Sequence, residues 1–345
     1  MEVRTFGIDL GKSTFHLVGM DDRGRVIEKK CLSRPQLLLY TVNKPPCLIG
    51  MEACCGAHVL GRALAAQGHQ VRLIPAQFVK PFVKSNKNDF IDAEAIAEAV
   101  QRPQMRFVPF KTEDQLDLQA LHRVRDRLVS RRTSVINQIR AFLLERGITF
   151  RQGRRHLKSR MPFILEDAEV SLTPRMRSLI DALWQEWKAV ELSIDDFTKQ
   201  IEAIARQDNK CQRLVSVPGI GPLVSTAMIA AIGNGHAFAK GREFAAWLGL
   251  TPKQHSTGGR SKLLGISKRG NPYLRRLFIH GARSVFLHLN RQEHAIGRWM
   301  SDLETRVHRN VAVVAIANKL ARIAWTVLTR GELYRETTHS QAVTV

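Results

Sequence analysis

The chain has 345 residues, 44% of them apolar, which is enough for two or three domains with real cores and too apolar for disorder. Its 53 Lys and Arg outnumber 31 Asp and Glu, and the resulting net charge of +22 points to a polyanionic partner. Five cysteines (Cys31, Cys47, Cys54, Cys55, Cys211) without Cys-x-x-Cys spacing argue against a disulfide framework or structural zinc, and a strand pattern that starts by Arg4 leaves no room for a signal peptide, so a cytoplasmic protein is expected.

Residues 5–9 form a short apolar run ending in Asp9, and residues 15–20 alternate as a second strand. Asp21, Asp22 and Gly24 then supply turn chemistry before a third strand from Arg25, so three consecutive antiparallel strands are expected. A helix from Pro35, a buried strand over 47–52 ending in Glu52, a helix over 58–67 and a strand over 70–75 extend this into a mixed α/β sheet. Asn88 or Asp89 caps the next helix, and spacing of three puts Asp89 and Asp92 on one face of its first turn.

Asp9 and Glu52 lie at strand C-termini, where α/β sheets tend to place ligand sites. Four carboxylates in so basic a chain suit divalent cations such as Mg²⁺ held against phosphate, and two ions roughly 4 Å apart would stabilise the attacking and leaving oxygens of a phosphodiester. Each acid alone has a plainer explanation, since first-turn acids complement the helix dipole and strand-end Asp residues often make turns. The four in this order favour the metal reading. Their spacing resembles the ribonuclease H-like fold in its RuvC-like DEDD form. Residues 7–14 also look like the first phosphate loop of actin-like and sugar-kinase ATPases, but no later Gly-rich adenosine loop follows, and the charge suits DNA better than a sugar.

Residues 115–146 read as a long helix with a stripe of Leu121, Val124, Leu128, Val135, Ile139 and Phe142. Its seven arginines against three acids leave a solvated face and nucleic-acid contact both open. After a Thr173–Pro174 cap, Met176, Ile180, Leu183, Trp187, Val190, Ile194, Phe197, Ile201 and Ile204 recur in steps of four and three. Such a seam could pack within the chain, but left exposed it would need a partner helix, and self-association into at least a dimer is the expected outcome.

Residues 214–222 with the Ala-rich helix after them resemble a helix-hairpin-helix, in which Gly219 and Gly221 would let the chain turn tightly and backbone amides grip a phosphate. From 244 to 292 there are nine Lys or Arg and no acid, among them Arg260, Lys262, Lys268, Arg269, Arg275 and Arg276, expected to bind nucleic acid. Residues 251–260 are expected to be a loop. A serine in this arginine-lined stretch could attack a phosphodiester, and the residues alone leave Ser256, Ser261 and Ser267 as candidates. Residues 311–328 carry Lys319 and Arg322 mid-run, which predicts a packed helix rather than a membrane span.

Taken together, the four acids, the Pro218–Gly221 hairpin, the run from Phe244 to Pro252 and the block from Ser256 to Arg276 resemble the DEDD insertion-sequence transposases of the IS110 family, in its IS1111 branch. The resemblance implies a RuvC-like α/β domain over 1–150, a coiled-coil linker region over 151–207 and a mainly α transposase domain over 208–345. It carries the metal site onto Asp9, Glu52, Asp89 and Asp92, and the nucleophile onto Ser256 of Ser256-Thr257-Gly258. It further implies Mg²⁺, double-stranded target and donor DNA, a structured noncoding guide RNA, a phosphoserine link to cut DNA, and dimers paired into tetramers. Two alternatives stand beside it: a RuvC-like junction nuclease in which water attacks, and a non-catalytic nucleic-acid binder whose acids only cap and turn.

Overall fold

Three strands, β1 (Thr5–Leu10), β2 (Thr14–Met20) and β3 (Val26–Ser33), follow one another as an antiparallel meander. The β2–β3 turn is set by Asp21, whose carboxylate accepts from the Arg23 and Arg25 amides at 3.0 and 2.8 Å. The computed structural model describes residues 2–84, 88–167 and 172–335, in two compact units, one up to Thr112 and one from Glu113 on.

In the first unit, α1 (Arg34–Val42) leads to β4 (Leu48–Glu52), α2 (Ala57–Ala66) and β5 (Gln70–Ile74). The sheet order is β3-β2-β1-β4-β5, with β1, β4 and β5 mutually parallel. Because side chains alternate along a strand, Phe6, Ile8, Ile49 and Met51 point to one face and pack with Leu37, Leu60 and Leu64 of α1 and α2. A short helix, α3 (Ala76–Val79), and a 3₁₀ turn over Lys80–Phe82 follow. The opposite face is covered by α4 (Asp89–Val100), whose Ala93 and Ala97 pack with Val18 and Met20. Of the two cap candidates in the sequence, Asn88 caps α4, its side chain accepting from the Phe90 amide.

The second unit is helical: α5 (Glu113–Leu144), α6 (Arg154–Glu166), α7 (Pro174–Gln207), α8 (Asn209–Val215), α9 (Pro222–Ile232) and α10 (Gly241–Trp247) precede a two-stranded ribbon, β6 (Pro252–Thr257) and β7 (Arg260–Ile266). The unit closes with α11 (Pro272–His288), α12 (Ala295–Glu304) and α13 (Arg309–Arg330). A core of Phe244, Leu248, Leu274, Phe278, Ile316 and Leu320 joins α10, α11 and α13. Among the described residues α13 is the one helix long and apolar enough to cross a membrane, and half of its apolar window is buried within the protein.

Two expectations are corrected. The α7 seam exists, but its partner is in the same chain: Ile180, Trp184 and Trp187 pack against Val135, Ile136, Ile139 and Leu143 of α5, and Val190 and Ile194 against Leu128. The pairing runs antiparallel, as a 32-residue and a 34-residue helix joined through α6 can do. A second copy is therefore not needed to cover it. Residues 251–260, expected to be a loop, form most of a hairpin. Gly258 and Gly259, with φ of +56° and +77°, make the two-residue turn whose twist matches paired strands.

Candidate active site

The glycines of β1 and β4 create the site. Gly7 and Gly50 are register partners on adjacent parallel strands, and both face α4. A Cβ at position 7 would stand 2.0 Å from the Ala93 carbonyl oxygen, and one at position 50 would stand 2.8 Å from Val100 Cβ. Only bare backbone lets α4 lie this close. Gly7 meets Ala93 and Ala97, and Gly50 meets Ile96 and Val100. Asp89 lies by His16, level with Asp9, while Gln101 reaches Met20, level with Thr5, so α4 runs antiparallel to β1. Its first turn, with Asp89 and Asp92, thus arrives at the strand ends that carry Asp9 and Glu52.

Two residues beyond each glycine, Asp9 and Glu52 point to this same face. Both are half-buried, as is Asp92, while Asp89 is exposed. Burial first, and then the Asp89 and Asp92 charges, hold the Asp9 carboxyl above its ordinary pKa, against a lowering pull from His16. Burial also raises Glu52, followed by the charges of Asp9 and Asp92. The structure therefore brings together all four acids singled out in the sequence, as a mutually repelling group.

Such a group fits a divalent cation by charge and by donor type, since carboxylate oxygens are hard ligands suited to Mg²⁺ or Mn²⁺. As they stand the four do not enclose an ion. Among the described residues no group of three or more Asp, Glu, His or Cys side chains has metal-holding spacing. His16 escaped notice in the sequence. It is the register partner of Asp9 across β1 and β2, and its Nδ1 lies 3.6 Å from Asp89 Oδ2. The signal available was its alternation within a strand, which says nothing about the strand it will pair with.

In the second unit Ser256 lies two residues before the hairpin turn, exposed, and accepts a hydrogen bond from Gln254 Nε2 at 2.8 Å. Its cross-strand partner is Ser261, so two of the three candidate serines share one face, while Ser267 lies beyond the ribbon. Thr257 pairs with Arg260 and His255 with Lys262, which puts Arg260 and Lys262 on the face opposite Ser256. Their charges do not surround its hydroxyl in this conformation.

The remaining basic residues divide by use. Arg275 donates from Nη1 to the Leu248 and Arg269 carbonyls at 2.9 and 2.8 Å, so it clamps the segment that follows β7. Lys268, in the same segment, has a φ of +55°. Arg276 pairs with Asp126 and lies over the Tyr273 ring at 5.4 Å. Arg260, Lys262, Lys268 and Arg269 are exposed.

Between α8 and α9, Gly219 has a φ of +78°, and its would-be Cβ meets Gly281 O of α11 at 2.7 Å. Gly219 is therefore needed for packing as well as for the turn. Gly221 is the N-cap of α9 and has open space around it.

A DEDD transposase model of the IS110 type matches residues 6–147, and a model described as transposase of the IS116/IS110/IS902 family matches residues 211–296. The chain is 44% identical over 332 residues to the transposase for insertion sequence element IS1328 of Yersinia enterocolitica, covering 96% of this chain and 98% of that one. It is 44% identical over 336 residues to a probable family 20 transposase of Pseudomonas aeruginosa, covering 97% and 99%. It is 42% identical over 334 residues to the transposase for insertion sequence element IS1111A of Coxiella burnetii, covering 97% and 92%.

Proposed function

Because the chain belongs to the IS116/IS110/IS902 family of insertion-sequence transposases, enzymes that cleave and rejoin DNA, we propose that it does so with a carboxylate-held Mg²⁺ site and Ser256 as nucleophile. DEDD transposases depend on divalent metal, and Asp9, Glu52, Asp89 and Asp92 would hold it here. When bound, the metal would offset negative charge on the scissile phosphodiester and on the oxygens entering and leaving phosphorus. The observation that carries this reading is the convergence of the four acids at one end of the sheet, seated by Gly7 and Gly50. The order β3-β2-β1-β4-β5, three antiparallel strands followed by parallel ones, supports a RuvC-like fold for this unit.

In the proposed step Ser256 Oγ attacks phosphorus, an Oγ–P bond forms, and the bond from phosphorus to one deoxyribose oxygen breaks. The serine proton ends on that leaving oxygen. Phosphorus remains a diester, so rejoining to another strand end needs no external energy source. The exposed setting of Ser256 beside the Gly258–Gly259 turn supports access to DNA. Gly221 at the open start of α9, and the exposed Arg260, Lys262, Lys268 and Arg269, are assigned to phosphate contacts.

The reading extends to the IS1111 branch, to a noncoding guide RNA that pairs with target and donor DNA, and to dimers that pair as tetramers. The net charge of +22 supports a large nucleic-acid surface, and the 42% identity to the IS1111A transposase supports the branch. One observation favours the alternative in which water attacks: Arg260 and Lys262 face away from Ser256, as in a ribbon that only grips the backbone. Incubation of wild type, Ser256→Ala and Asp9→Ala with element-end DNA and the transcript from its flank decides between them. Loss of both the protein–DNA adduct and cleavage in Ser256→Ala is expected. Cleavage that persists in that variant would transfer the attack to water, and cleavage that persists in Asp9→Ala would remove the metal role.

A further inference from the structure

A cavity of about 470 Å³ opens in the second unit along one side of α13. Lys319, Arg322, Ile323, Thr326, Val327 and Arg330 line it, in steps of three and one, so they share a single stripe of the helix. Gly331, with a φ of +72°, ends α13 and turns the chain, and Leu333, Tyr334 and Arg335 form a second wall. The Tyr334 amide donates to Ser216 Oγ at 2.8 Å, which pins that wall to the end of α8. Ala295 and Ile296, the first residues of α12, close a third side, and helix starts favour anions. We propose that this cavity binds one unpaired nucleotide, its phosphate on the cations of α13 and its base against the apolar lining.

The cations stand together without counter-charges. Among the described residues Lys319, Arg322 and Arg330 make no ion pair, although Glu332 also lines the cavity. The Nε of Arg322 is buried and has no hydrogen-bond partner among the described residues. A buried guanidinium donor left unpaired is costly, and a phosphate oxygen would satisfy it. Lys319 lies over the Trp299 ring, its Nζ 4.3 Å from the centroid, which holds the ammonium at the wall. Burial, then the Arg322 charge, lowers the Lys319 pKa, and an anion shared by the two would relieve that repulsion.

Size and lining set the rest of the ligand. Small-ligand sites typically span about 300–1,000 Å³, so this cavity admits a nucleotide and excludes a duplex. Ile323, Val327, Leu333 and Tyr334 give it an apolar side, which a bare phosphate does not need and the face of a base does. Such a base is offered by a bulge or end of a strand, or by a free nucleotide. None of these residues is an acid of the metal site or a candidate serine, so the inference stands apart from the proposed mechanism.

The test uses the full chain with RNA and DNA duplexes that carry one unpaired adenosine, the same duplexes fully paired, and AMP. Wild type is expected to bind a bulged duplex about five-fold or more tightly than its paired counterpart, the least that one stacked base contributes. The duplex that shows this preference names the strand as RNA or DNA. Arg322→Gln and Tyr334→Ala are each expected to bring bulged and paired duplexes within about two-fold, with the paired one still bound as by wild type. A merely basic surface would instead weaken for both alike. If wild type ignores the bulge but binds AMP, and both variants lose AMP, the ligand is a free nucleotide. A bulge preference or AMP binding that survives in both variants overturns the proposal, as does a wild type that shows neither. Where Arg322→Gln does not fold, Lys319→Gln takes its place under the same criteria.

Discussion

Gly7 lies so close beneath Ala93 that a single added methyl would stand 2.0 Å from its carbonyl oxygen, and this contact between β1 and α4 sets where two of the four acids go. Gly7→Ala is expected to force α4 off the sheet and to lower stability by about 1–3 kcal/mol, the usual cost of overpacking a tight interior. Denaturant unfolding measures the first effect. Mn²⁺ affinity, lost alongside it although no acid has been changed, measures the second.

Added divalent metal should stabilise the protein. Burial and mutual repulsion raise Asp9 and Glu52, and a cation between them relieves that repulsion in the folded state alone. A rise in melting temperature with Mg²⁺ or Mn²⁺ concentration is expected, and Asp9→Asn should flatten it. An equal rise in both proteins would assign the effect to another site.

Stability should fall in mild acid through His122. This residue is 2% exposed and joins three helices: Tyr273 O–H faces Nδ1 at 2.9 Å, and Nε2 faces Thr226 Oγ1 at 3.0 Å. Thr226 donates onward to the Pro222 carbonyl, so its oxygen accepts from Nε2–H and the ring is neutral. Burial, then the Arg125 charge, lowers the His122 pKa from 6.5 to about 4. The unfolded chain therefore takes up a proton below about pH 6.5 that the folded chain refuses until about pH 4. Stability is full above 6.5 and declines across that window, by a total on the order of 3 kcal/mol. Urea titrations at pH 7.5 and 4.5 check this. A His122→Gln variant should be less stable at pH 7.5 and should lose less on acidification.

Ser256 and Ser261 face each other across the ribbon, which makes them a matched pair. Ser256→Ala is expected to remove the protein–DNA adduct seen on denaturing gels, and Ser261→Ala to retain it within about ten-fold of wild type. The opposite pattern would move the nucleophile across the hairpin.

Arg269 and Arg275, six residues apart, should separate cleanly. Arg275 serves two carbonyls, so Arg275→Ala is expected to cost about 1.5–3 kcal/mol of stability. Arg269→Ala should leave stability within about 0.5 kcal/mol and reduce the salt dependence of DNA binding by about one counterion. DNA affinity measured against salt concentration, beside unfolding curves, tests both.

What local chemistry dictates was legible before any coordinates. Each alternating strand, the Asn88 and Thr173 caps, and the setting of each acid at a strand end or in the first turn of a helix are written within a few residues of local sequence. The ribbon was missed because both its strands are exposed up to Ile266, so no apolar alternation marks them, although Gly258–Gly259 held the turn signal. The α7 seam was legible as a seam, but its partner α5 lies behind α6 and could be named only from packing. The same holds for His16 beside Asp89, for Gly7 under Ala93, and for Arg275 on the Leu248 carbonyl. Each of these pairs is distant in the chain, and periodicity in one segment carries no information about which other segment folding will set against it. The chemistry of the site is thus local in its residue types and tertiary in its assembly, because ligands must converge in space whatever their separation along the backbone.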